Sequence, residues 1–108
     1  MKTIYCITVF DELDNKVLDK KYTDDYKKAK RVKNAIMEAL KKVGFEKAFV
    51  ANHNYLGDFT ESVCMERDCD YKTIIIDSGN WFDDNRIYLS NGTCKEVTES
   101  ELNYVLSY

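Results

Sequence analysis

Residues 23 to 44 read TDDYKKAKRVKNAIMEALKKVG, and the structure this stretch adopts decides what the rest of the chain must do. Ala29, Val32, Ile36, Ala39, Leu40 and Val43 recur at three- and four-residue spacing, which gathers them on one narrow stripe of an α-helix. Thr23 stands where a cap belongs, and Asp24 and Asp25 face the positive end of the helix dipole. Gly44 supplies the backbone conformation in which helices stop. A helix over residues 24 to 43 follows, about 30 Å long at 1.5 Å per residue. Its stripe needs a surface to lie on, and the flanking segments contain no second helix of comparable length, so that surface must be a sheet.

Working outward, TIYCITVF at residues 3 to 10 has apolar side chains on both alternating sets, as a central strand does. VLDKKY at 17 to 22 carries lysines and suits an edge. Downstream, KAFVA, FTESVCME and YKTIIID read as three more strands, and Phe59, Val63 and Met65 alternate with polar residues in the second of them. RIYLS and TCKEV flank Asn91 and Gly92, a pair that predicts a type I′ hairpin with Leu89 facing Cys94. TESE at 98 to 101 is a capping box opening a last short helix with Leu102, Val105 and Leu106 inward. We therefore expect one α+β domain over residues 1–108: a mostly antiparallel sheet of five to seven strands, a long amphipathic helix on one face and a short C-terminal helix. The expected order is ββαββββα, with a β-grasp-like start.

The 108 residues are 44% hydrophobic and 32% charged, which is a globular composition with room for one core. The net charge of −3 is unevenly spread: residues 1–45 sum to +4 and residues 46–108 to −7. Lys2 and the apolar run after it are too polar and too soon interrupted by Asp11 for a secretion signal, and no membrane span is written anywhere. The expectation is a cytoplasmic protein whose four cysteines stay reduced. Abundant Lys, Asn, Tyr, Asp and Ile with no Pro suggest an AT-rich bacterial or phage genome.

Four kinds of chemistry can be weighed against this. Cys64, Cys69 and His53 could contribute to a thiol or zinc site, but the C-x4-C spacing is loose and no second close pair completes it. The serines lack a nucleophile elbow, and the four glycines are too scattered to cradle a phosphate. Lys27, Lys30, Arg31, Lys41 and Lys42 line the outer half of the helix and could neutralise nucleic-acid phosphates, although Asn34 and Glu38 interrupt them and Glu38 can pair with Lys42. Finally, IDSGNWFDDNR at 76 to 86 sets Trp81 and Phe82 in a turn among Asp77, Asp83 and Asp84. An aromatic anchor rimmed by acids suits docking on a basic protein surface.

The leading expectation is thus a non-catalytic protein-binding module without cofactor or metal, engaging a basic partner through Trp81, Phe82, Asp77, Asp83 and Asp84. Compact acidic α+β chains of this size include phage and mobile-element inhibitors that occupy the nucleic-acid groove of a host enzyme, as some anti-CRISPR proteins do. A nucleic-acid-binding module is the first alternative, a thiol or zinc protein the second.

Overall fold

The computed structural model describes residues 2–55 and 58–106, with backbone alone for 53–55, 58, 59 and 104. The chain runs β1 (Lys2–Asp11), β2 (Lys16–Thr23), α1 (Tyr26–Lys42), β3 (Glu46–Tyr55), β4 (Asp58–Arg67), β5 (Asp70–Phe82), β6 (Arg86–Leu89), β7 (Cys94–Glu96) and α2 (Glu99–Val105). This is an α+β architecture with a seven-stranded sheet in which every pair is antiparallel. Five strands separate the helices, one for each segment read in the sequence, where the expected order ββαββββα counts four. β1 does take a central place with β2 on its outer side, but its other neighbour is β5 in antiparallel register. A β-grasp would have made that pairing parallel.

The order β2-β1-β5-β4-β3 accounts for five strands, and β5 explains the other two. At 13 residues it outruns β4, which pairs along it only as far as Asp77. From Gly79 onward the same edge of β5 is taken by β6, with β7 beyond it. Two hairpins thus sit end to end along one long strand. Asp77 stands at their junction: its carboxylate accepts from Thr60 Oγ1 of β4 at 3.0 Å, from Asn91 Nδ2 at 3.1 Å and from Ser90 Oγ at 3.4 Å.

The helix is bounded differently from expectation. Asp25, not Thr23, is the N-cap and accepts from the Lys27 amide at 2.9 Å, while Thr23 Oγ1 binds the Asp25 amide at 3.2 Å. At the far end Gly44 adopts φ +97°. The amide of Phe45 reaches Leu40 O and that of Gly44 reaches Lys41 O, both at 3.0 Å, which is a Schellman motif. Arg67 adds a donor to Val43 O at 2.6 Å and lies over the Phe45 ring at 4.5 Å. The residues that α1 buries most deeply are Ala29, Lys33 and Met37. Ala39 and Val43, assigned to the inward stripe by spacing, are exposed.

Two apolar clusters result. Between α1 and the sheet, Ala29 and Met37 of the helix and Phe45 just after it meet Ile7, Val63, Met65, Ile74 and Ile76 from one face of β1, β4 and β5. Around the β6–β7 hairpin lie Ile4, Cys6, Tyr22, Ile87, Leu89, Val97 and Leu102. α2 closes this second cluster: Thr98 caps it by accepting the Glu101 amide at 3.3 Å, and Val105 and Leu106 pack inward as expected. The turns also redistribute. The β4–β5 hairpin has positive φ at both Asp68 (+48°) and Cys69 (+64°), the geometry of a type I′ turn. The Asn91–Gly92 turn has it only at Gly92 (+88°), with Gly92 N bonding Leu89 O at 2.9 Å. That is a type I turn followed by a bulge, and it shifts the register so that Tyr88, not Leu89, faces Cys94. Among the described residues no helix is long and apolar enough to cross a membrane.

Candidate functional site

Strand alternation decides the fate of the aromatic pair at the end of β5. Ser78, Gly79, Asn80, Trp81 and Phe82 continue the strand, so Trp81 and Phe82 are strand residues and not the turn residues that local composition predicts. Gly79 is required for close approach: a Cβ there would lie 2.3 Å from Tyr88 O and 2.9 Å from Leu89 Cα. That lets β6 seat against β5. Successive side chains then point to opposite faces. Trp81 turns toward Ile87, Val97 and Leu102, half-buried, and its indole N–H donates to Val97 O at 2.8 Å. Phe82 turns outward.

The outward face carries a small built surface. Phe82 and Tyr88 meet edge to face, with ring centroids 5.5 Å apart and planes at 72°. Each retains 38% exposure. The Tyr88 hydroxyl donates to Asp84 Oδ2 at 2.7 Å, and this bond to a carboxylate pushes the phenol's ionisation upward. Asp83 and Asp84 occupy the turn itself, which closes through Asn85 N to Phe82 O at 3.0 Å with Asn85 at φ +63°. Arg86 stands beside Tyr88 and is the cation of the patch.

Of the five residues expected at an acidic aromatic anchor, Phe82, Asp83 and Asp84 come together on the surface. Trp81 supports them from beneath. Asp77 does not belong to the rim: it is 3% exposed and spent on the hairpin junction described above. Tyr88, which sequence reasoning passed over, completes the surface. Its signal was the hairpin register, since a turn at residues 83–85 sets Tyr88 beside Asn80, two pairs along from Phe82 and on the same face.

The basic face of α1 is present but partly neutralised. Lys27, Arg31 and Lys42 are exposed. Lys30 leans over the Tyr26 ring at 5.7 Å and approaches Glu61 to 3.9 Å. Lys41 pairs with Glu38 at 3.2 Å, where Lys42 had been the expected partner. Beneath this face lies a group that local pattern did not reveal. Lys33 turns under the helix and bonds Glu61 of β4, which also accepts the Tyr26 hydroxyl at 2.9 Å. Burial alone would raise the Glu61 carboxyl, but the hydrogen bonds from Lys33 and Tyr26 and the lysine charges outweigh it, and the carboxyl sits below its ordinary range. Burial, then the bond to Glu61, pushes Tyr26 up. Glu61 was detectable in principle, as the charged member of the face Phe59, Glu61, Val63, Met65.

The thiols do not converge. Cys64 is buried on β4 while Cys69 is exposed at the adjacent hairpin tip, and all four cysteines are free. Cys94 is exposed on β7; burial of Cys6 pushes its thiol upward. The His53 side chain lies outside the described residues. Its backbone pairs with Thr60, four residues along β3 from Phe49, the partner of Cys64, a separation of about 13 Å at strand rise. Among the described residues no three His, Cys, Asp or Glu side chains gather to hold a metal. Comparison with protein families, with curated proteins and with solved structures finds no match to this chain.

Proposed function

We propose that this protein is a small non-catalytic binding module that docks through Phe82, Tyr88, Asp83 and Asp84 onto a partner protein with a basic surface. The observation that carries the reading is the exposed edge-to-face pair Phe82–Tyr88 tied to Asp84 by a 2.7 Å hydrogen bond. Aromatic side chains held in place before contact lose little entropy on binding, which suits them as anchors. The acids around them belong to the part of the chain, residues 46–108, that carries −7. Acidic surroundings speed and orient encounter with a basic partner. A concrete form of this reading is a phage or mobile-element inhibitor of the anti-CRISPR kind, in which the acidic surface occupies a groove that a host enzyme uses for nucleic acid.

The test is capture of partners from bacterial extract with the tagged protein, identification by mass spectrometry, and titration of the purified partner. Phe82→Ala with Asp83→Asn and Asp84→Asn changes only exposed positions. It should weaken binding by about a hundredfold, and raised salt should weaken the wild type as well. A partner bound equally well by this variant refutes the assignment.

A further inference from the structure

α1 is rotated relative to its own apolar stripe. The sheet buries Ala29, Lys33 and Met37, whereas Ala35, Ala39 and Val43 are exposed and Val32 and Ile36 only half-covered. At 3.6 residues per turn the apolar arc is centred roughly a sixth of a turn away from the buried line. A helix that inserts a lysine under itself while leaving alanine and valine outside has apolar surface to spare on one flank. That flank forms a wall of a groove of about 490 Å³ whose other wall is Lys21 on β2. Val32, Ala35, Ile36 and Ala39 form its apolar side; Lys21, Lys28 and Arg31 provide its charge. Asp19 pairs with Lys21 at 3.5 Å, and the rim of three cations and this one acid remains positive.

The groove runs beside a sheet edge. β2 pairs with β1 and, among the described residues, with no other strand, so it is an edge strand, and its Lys21 lines the groove; the Lys20 amide is already held by Asp19 Oδ1 at 2.9 Å. Lysines on an edge strand discourage pairing with a neutral or basic strand. Toward an acidic strand they act in the opposite sense. A strand added at β2 would alternate its side chains, one set entering the groove under the helix flank and the other lying on the far face of the sheet.

We propose that this groove is a second docking site, independent of the Phe82–Tyr88 patch, and that its occupant is an extended peptide segment of a partner, alternating apolar and acidic residues, added as a strand to β2. The apolar side chains fill the space beside Val32, Ala35, Ile36 and Ala39, and the carboxylates meet the cations of the rim. Lys21 and Lys28 already engage neighbours within the chain; what the site requires of them is their charge. The apolar wall distinguishes this occupant from nucleic acid, whose phosphates would use the cations and leave the alanines and valine uncovered.

The probe is a fluorescein-labelled, acetylated peptide of alternating valine and glutamate, titrated by anisotropy against the full chain, with a valine–lysine peptide and a short DNA duplex alongside. The wild type should bind the glutamate peptide saturably and the lysine peptide not at all. Arg31→Glu, which reverses rim charge, and Ala35→Trp, which fills the groove, should each weaken binding by about tenfold or more. Both positions are exposed, so thermal unfolding close to that of the wild type establishes that the variants are folded. Hydrogen exchange should slow within residues 16–23 when the glutamate peptide is added. Equal affinity of the variants, slowing confined to other segments, absence of saturation by about 1 mM peptide, or Arg31-dependent binding of DNA tighter than that of the peptide overturns the proposal.

Discussion

Replacing Lys33 by methionine strips one partner from a charge pair buried between α1 and the sheet, where the Lys33 and Glu61 side chains keep 11% and 6% of their surface. Removing one member of such a pair costs about 3–5 kcal/mol, because the other is left charged and unpaired, while replacing both by apolar residues of similar volume is neutral or stabilising. The two halves are unequal. After Lys33→Met, Glu61 still accepts the Tyr26 hydroxyl at 2.9 Å and has the Lys30 ammonium at 3.9 Å, free to move closer from solvent. That places this variant at the lower end, about 3 kcal/mol. After Glu61→Leu, Lys33 loses its acid, and the cost approaches about 5 kcal/mol unless the lysine stem extends to water. At roughly 4 °C per kcal/mol for a chain of this size, the single variants should melt about 10–20 °C lower, and the double variant K33M/E61L within a few degrees of the wild type. Circular dichroism melts and urea titrations of all four proteins give the coupling energy directly. The pH dependence carries its own sign. The folded carboxyl of Glu61 lies below the ordinary glutamate value of 4.5, so its stabilisation is present above about pH 4.5 and is lost as pH falls through the lower folded value. That part of the acid limb should vanish in Glu61→Leu. Additive single effects, or a double variant as unstable as the worse single, would falsify the account of a coupled buried pair.

Two further outcomes test the seating of β6 and the distribution of the thiols. Gly79→Ala drives a Cβ to within 2.3 Å of Tyr88 O and 2.9 Å of Leu89 Cα, backbone atoms that cannot swing aside. It should destabilise the chain by about 1–3 kcal/mol and shift the emission of its single tryptophan to the red as the Val97 bond loosens; unchanged emission and melting argue against the close approach. With Ellman's reagent, Cys69 and Cys94 should react quickly in the native protein while Cys6 and Cys64 wait for unfolding, and four fast equivalents would contradict the burial of the latter two.

Local periodicity was enough to place most of the elements of this fold. The short apolar run of 3–10, the stripe of 24–43 and the capping box at 98–101 each depend on residues a few positions apart, and local sterics and hydrogen bonds govern that range. Turn chemistry was half legible: Asn91–Gly92 marked a hairpin but not its register. Asp68–Cys69, which has the type I′ geometry, holds no glycine to announce it.

The surface proposed for docking required tertiary information for a definite reason. Composition made residues 78–85 look like a loop, since Asp, Ser, Gly and Asn favour turns. Pairing with β1 on one side and β6 on the other supplied enough ladder hydrogen bonds to override that preference through Phe82, and the two-residue alternation of the resulting strand sent Trp81 inward and Phe82 outward. Asp77 was drawn inside by Thr60, Ser90 and Asn91, all at least 13 positions away in the chain. Lys33 likewise lies under the helix against Glu61, 28 positions on, and the groove beside β2 is lined by the apolar flank that α1 leaves uncovered. The chain alone thus specified an α+β domain with an antiparallel sheet and two helices, the first of them 17 residues where about 20 had been expected, and an acidic aromatic segment. Which charges were buried and which aromatics stayed in water was settled by partners distant in sequence, because the energy of a buried charge depends on what folding brings against it.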